Sequence, residues 1–89
     1  MLESQIQRQI IEYLNSVNSC WIVKVVTSNK NGVPDILCCY KGRFIGIEVK
    51  TDRGKTTPIQ DLQMSRIRKA GGVTLVARCV EDVRFFLER

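Results

Sequence analysis

The dipeptide Lys41-Gly42 stands between two apolar segments, Ile36 to Tyr40 and Phe44 to Val49, and it constrains the fold more than any other feature of the chain. A two-residue link that contains glycine and joins two β-prone runs predicts a tight hairpin. A turn centred there sets the register of the two strands, and Asp35 falls opposite Glu48. Opposed residues in an antiparallel pair have Cβ atoms roughly 4.5–5.5 Å apart, so two carboxylates placed this way repel unless a cation stands between them. Lys50 lies two residues beyond Glu48, and a strand of period two projects both from one face. The pattern predicts two acids and an amine converging on one point, with a divalent cation as the natural companion.

The 89 residues suffice for a single domain, 1–89, near the small end of what encloses a core without cross-links. Hydrophobic residues make up 44% of the chain in periodic patterns, as in a globular protein, and no apolar run approaches the ~20 residues that span a bilayer. Glu3, Arg8 and Glu12 lie among glutamines in the first helix, a pattern unlike a secretory leader. The expectation is a cytoplasmic protein with no membrane partner, of a size that suits a phage or mobile element. There is no histidine, which excludes Cys2His2 zinc sites, imidazole-dependent hydrolases and histidine proton shuttles. Cys20, Cys38, Cys39 and Cys79 show no CxxC spacing, and buried free thiols are expected. The net charge of +5 suits a polyanionic partner, because lysines and arginines set against phosphates release condensed counterions.

Leu2, Ile6, Ile10, Leu14 and Val17 mark an amphipathic first helix, ended by Asn18-Ser19. Residues 21–27, rich in β-branched side chains, read as a first strand, and a second begins near Asp35 after the restricting Pro34. From Arg43 a third strand puts Ile45, Ile47 and Val49 on one face and Phe44, Gly46, Glu48 and Lys50 on the other. Gly46 leaves room on that second face for a ligand or for a neighbouring helix. Thr57 as N-cap, Pro58 at the first helical position and Gln60 three residues after the cap open a second helix, with Ile59, Leu62, Gln63, Ile67 and Ala70 forming one stripe and Gly71-Gly72 its stop. Residues 73–77 form a fourth strand, and Val80, Val83, Phe86 and Leu87 line a closing helix. The order is α-β-β-β-α-β-α. A meander of three strands followed by a right-handed crossover to a parallel fourth predicts one mixed four-stranded sheet flanked by helices.

Charged residues on a strand face usually meet only water, and Asp35, Glu48 and Lys50 each have that ordinary explanation alone. Taken jointly, they suit metal-assisted phosphodiester hydrolysis. A hard cation takes oxygen ligands and keeps several waters, so two carboxylates and a backbone carbonyl suffice, while an adjacent ammonium orients a nucleophile or meets growing negative charge.

Gly32-Val33-Pro34-Asp35, then Glu48-Val49-Lys50 thirteen residues after the aspartate, resembles the PD-(D/E)XK nuclease superfamily, and with Thr57-Pro58-Ile59-Gln60 it resembles the VRR-NUC family in particular. The resemblance covers nearly the whole chain, including an early glutamate, Glu3, in the first helix. It implies a restriction-endonuclease-like core and a small stand-alone endonuclease dependent on Mg2+ or Mn2+. By that resemblance Asp35, Glu48 and the carbonyl of Val49 hold metal, Lys50 positions the attacking water, and Gln60 and Glu3 support the site. Gln60 also fits a helix-capping role, and Glu3 a favourable place in a helix's first turn.

Lys24, Lys30, Arg53 and Lys55 flank the site and are the candidate DNA contacts, whereas Arg66, Arg68 and Lys69 suit the C-terminus of a helix. Few aromatics are available for base stacking, and Trp21, Tyr13 and Tyr40 are equally suited to a core or an interface. Small members of the resembled family imply branched DNA such as four-way (Holliday) junctions as substrate, and a two-fold symmetric substrate is best met by a homodimer. The competing expectations are a general or restriction-like duplex endonuclease and a non-catalytic DNA-binding module of the same fold.

Overall fold

In the computed structural model, which describes all residues from Met1 to Arg89, the elements run α1 (Glu3–Asn15), β1 (Cys20–Lys24), β2 (Ile36–Tyr40), β3 (Arg43–Val49), α2 (Pro58–Lys69), β4 (Val73–Ala77) and α3 (Val80–Glu88). The sheet order is β1-β2-β3-β4, with the first three strands antiparallel and β4 parallel to β3. This is the expected α/β architecture, element for element.

The hairpin at Lys41-Gly42 closes with φ of 50° and 83° at its two central residues, the left-handed pair that matches strand twist in a two-residue turn. Its register pairs Tyr40 with Arg43 and Ile36 with Ile47 without a bulge, so the next positions along are Asp35 and Glu48.

The two faces of the sheet are covered differently. Ile36, Cys38, Ile45, Ile47, Val49 and Ala77 point to the face covered by α1 and α3, where Ile6, Ile10, Leu14 and Val83 close one continuous core. Burying a side chain of this size contributes about 1.5–3 kcal/mol, so this layer supplies most of the hydrophobic stabilisation. On the opposite face α2 packs against β4 and brings Ile67 over Gly46. A Cβ on Gly46 would stand 3.1 Å from Ile67 Cδ1 and 3.1 Å from Pro34 Cγ. The space above Gly46 is therefore taken by a helix and a proline ring, not by a ligand.

Three details depart from the sequence expectations. β1 stops at Lys24 instead of running to Thr27; Val25 N–H still donates to Asp35 O at 2.9 Å, but the next facing residue is Pro34, which has no N–H to extend a ladder. In α2 the buried residues are Gln63 and Met64, whereas Ile59 and Leu62 remain 42% exposed, because the helix meets β4 and leaves its opening turn outside the sheet. The four cysteines are free, yet only Cys38 is buried. Cys39 points to the face away from the core, and Cys79 is the N-cap residue of α3. Burial pushes the Cys38 thiol up to about 12, which keeps it protonated and inert.

The stop of α2 follows from its glycines. Gly71 takes φ of 99°, its N–H donates to Arg68 O at 3.0 Å, and Gly72 N–H donates to Ile67 O at 2.9 Å, the paired bonds of a left-handed C-terminal cap.

Candidate nuclease site

The strand pairing that ends at Ile36 and Ile47 leads directly into the site. One position further, the Asp35 side chain takes over from the backbone: its Oδ2 accepts the Val49 N–H at 2.8 Å. This bond ties the Gly32-Val33-Pro34-Asp35 segment to the strand carrying Glu48 and Lys50. The same segment is locked to α2. Gly32 has φ of 79°, and a Cβ there would stand 2.7 Å from Ile59 O, a contact that only glycine avoids. The glycine-proline-aspartate segment and the threonine-proline-isoleucine-glutamine segment thus touch each other across the α2 face.

Glu48 is 2% exposed. Its Oε2 accepts from Gln60 Nε2 at 3.3 Å, and its Oε1 is buried with no protein donor facing it, so that only a proton shared with Asp35 or a cation can satisfy it. Gln60 performs both tasks its position suggested. Its Oε1 accepts the Thr57 N–H at 2.9 Å while its own N–H donates to Thr57 Oγ1 at 3.3 Å, a complete capping box. With Oε1 committed to the cap, the amide nitrogen is the group left to face Glu48.

Burial raises the affinity of Glu48 for its proton, and the hydrogen bonding and charge of the adjacent Asp35 carboxyl raise it further. Lys50 acts in the opposite direction, and the net effect pushes the Glu48 carboxyl up to about 8. Two acids sharing one confined place cannot both ionise cheaply without a cation. The charge of Glu3 reaches Glu48 as the smallest of these influences.

Asp35 therefore stands against Glu48 as the hairpin register requires, Gln60 contacts Glu48, and Lys50 acts on Glu48 through its charge without forming an ion pair with either acid. Glu3, half-exposed at the start of α1, adds charge at a distance without completing a cluster of three acids; no group of three or more acids, cysteines or histidines is assembled anywhere. The oxygen donors fit a hard divalent cation that retains water. Two carboxylates converge, one presents a buried oxygen lacking any partner, and the Val49 carbonyl lies between Glu48 and Lys50 in sequence. Lys24, Lys30, Arg53 and Lys55 are all exposed, and the one ion pair in the chain joins Arg84 to Glu81 elsewhere.

Sequence reasoning missed Arg78. Its Nη1 donates to Thr51 O at 2.6 Å, Asp52 O at 3.3 Å and Gly54 O at 2.7 Å, in the loop that follows Lys50. An arginine just past a strand carries no pattern of its own. Only the crossover, which lays β4 beside β3, brings it there.

No family model matches this sequence, and no curated protein matches it. Solved structures do. One, a VRR_NUC domain, is 25% identical and superposes with a TM-score of 0.82 over 98% of this chain and 95% of its own. Another, a VRR_NUC domain protein, is 18% identical, with a TM-score of 0.81 over 99% of this chain and 86% of its own.

Proposed function

We propose that this chain, which has the VRR_NUC nuclease fold over nearly its whole length, is a Mg2+- or Mn2+-dependent endonuclease that hydrolyses DNA phosphodiesters. Its substrate is branched DNA such as four-way junctions, and two copies of the chain act together. The observation that carries the reading is the buried Glu48, set against Asp35 with one carboxylate oxygen met by no protein donor and with the charge of Lys50 acting on it. A protein interior rarely keeps such an arrangement for packing alone.

In this reading Asp35, Glu48 and the Val49 carbonyl hold the ion, which when bound supplies Lewis acidity and an activated water. Asp35 keeps one oxygen on the Val49 N–H, so its carboxylate is fixed in orientation before any ion arrives. Gln60 steers Glu48 from the rigid first turn of α2. Lys50 meets the scissile phosphate or the attacking oxygen with its ammonium and favours the negative charge that develops there. Lys24, Lys30, Arg53 and Lys55 draw the DNA backbone to this end of the sheet.

The pairing of two copies is supported by the half of the α2 face that α2 leaves bare. Across the strands Trp21 aligns with Cys39 and Phe44, and Val23 with Leu37 and Gly46. Trp21 is 66% and Phe44 44% exposed, with Val23 and Cys39 exposed beside them. β1 is also an edge strand, with one side free to pair. A contiguous apolar strip on a small domain marks an association surface.

The test is a panel of labelled four-way junction, flap and linear duplex DNA incubated with Mg2+, Mn2+ or chelator. The reading expects junction cutting that requires metal and exceeds duplex cutting. Equal rates on all three would make it a general duplex endonuclease, and metal-independent DNA binding without cleavage would make it a binding module.

A further inference from the structure

A cavity of about 510 Å³ lies where the loop after Lys50 meets the start of α3, lined by Arg78, Cys79 and the loop residues Thr51, Asp52 and Arg53, among others. The β3–β4 pairing ends there: Lys50 N–H donates to Ala77 O at 3.0 Å, and the chain then leaves the sheet. The loop that follows makes one short turn of its own, Gly54 N–H to Thr51 O at 3.1 Å, and exposes Asp52, Arg53 and Lys55. Three of its carbonyls converge on the Arg78 guanidinium. Arg78 is itself fixed, because its backbone N–H donates to Asp82 Oδ2 at 2.9 Å in the first turn of α3. No carboxylate stands within ion-pair distance of Arg78, so its polar contacts within the chain are spent on loop backbone.

From this geometry we infer that Arg78 is a positioning residue, a clamp that holds the segment after Lys50 so that Lys50 and Arg53 are presented to the same phosphodiester. The inference rests on the nuclease reading above. A guanidinium is the group this task requires. It stays charged at every working pH, and its planar group fixes the direction of the two Nη1 hydrogens that the three carbonyls share, whereas an ammonium rotates freely at the end of a flexible stem. Without the clamp, a polar loop of this kind has only one internal hydrogen bond to oppose its conformational entropy. The freedom gained would pass to Lys50, the first residue beyond the sheet. Arg78 touches no reacting atom in this scheme. Its effect reaches the chemistry through the placement of Lys50.

The experiment compares wild type, Arg78→Lys and Arg78→Ala on one labelled junction, with kcat and KM measured separately. Mn2+ affinity and amide exchange across residues 50–55 are followed in parallel. The expected result is a kcat lowered ~10-fold in Arg78→Lys and ~10²-fold in Arg78→Ala, since misplacement of a reacting group by about 1 Å has effects of that size. Mn2+ affinity stays within about twofold, because neither carboxylate is altered, and KM rises less than kcat falls, because Lys24 and Lys30 lie outside the loosened loop. Exchange rises in residues 51–55 and nowhere in the core, and added guanidinium ion restores part of the Arg78→Ala rate. Should Arg78→Ala fail to fold, Arg78→Lys carries the comparison. An active wild type whose Arg78→Lys variant keeps both kcat and loop protection overturns the clamp and leaves the nuclease reading intact. A wild type that cuts no DNA overturns the nuclease reading, and the positioning role with it.

Discussion

On the face that meets α1 and α3, Ile36, Cys38, Ile45, Ile47 and Val49 are sealed from solvent, while on the α2 face the same three antiparallel strands carry a buried acid at one end and a bare apolar strip at the other. The first face is a continuous hydrocarbon layer of the kind that stabilises a small domain. The second holds groups that oppose folding, namely a desolvated carboxyl beside another acid and an unpartnered buried oxygen. The contrast teaches a division of labour within one sheet. Stability gathered on one side allows the other to hold a strained electrostatic arrangement.

Substitutions on each side should break or sharpen that contrast. The largest effect is expected on activity. Lys50→Ala should lower kcat on junction DNA by roughly 10²–10³-fold, the scale on which a positioned charge acts at a developing oxyanion, while chemical denaturation finds its stability close to that of wild type. On the core face the pattern reverses. Ile47→Ala should cost about 2–5 kcal/mol in urea unfolding by leaving a cavity among α1, β2 and β3, and where folded it should keep its cleavage chemistry.

Glu48 links the two faces through pH. Its folded-state value of about 8 lies above the ordinary 4.5, so the protonated carboxyl is the form the fold favours. The stabilisation this confers is complete below pH 4.5, declines as pH rises, and is gone once pH has passed through about 8. Metal-free wild type should therefore lose stability across that window, whereas Glu48→Gln, which carries no titrating proton, should be flatter and more stable at pH 8 by roughly 1–3 kcal/mol. Thermal melts at a series of pH values in chelator would check this. An unchanged slope in Glu48→Gln would assign the titration to another group. The smallest stability effect belongs to the bare strip: Trp21→Asp should alter monomer stability by less than about 0.5 kcal/mol yet abolish self-association in sedimentation experiments.

Much of this contrast was legible in the sequence because it is carried by local rules. The Lys41-Gly42 turn fixes a register, the register fixes which face each residue occupies, and the alternation from Arg43 to Lys50 separates core from chemistry. Thr57, Pro58 and Gln60 spell a helix start that needs no tertiary information, and the resemblance in motif order extended those rules to the fold as a whole. What escaped depends on how far each helix reaches across the sheet. The period of α2 could not tell that Met64 faces inward while Ile59 and Leu62 stay outside, because this is decided by the position of α2 over β4. The exposure of Trp21, Phe44 and Cys39 has the same cause. Arg78 escaped for a different reason: its partners are backbone carbonyls more than twenty residues away, and carbonyls have no sequence signature.

The claim on which the rest depends is that Asp35 and Glu48 form one metal-dependent centre for cutting DNA. The most direct measurement is the initial cleavage rate of a labelled four-way junction in Mg2+ by wild type and by Asp35→Asn, which preserves shape and the acceptor for the Val49 N–H while removing the charge. The account predicts that wild type cuts and that Asp35→Asn is slower by roughly 10²-fold or more, with its fold retained. Equal rates for the two proteins, or no cutting by wild type in either Mg2+ or Mn2+, would contradict it.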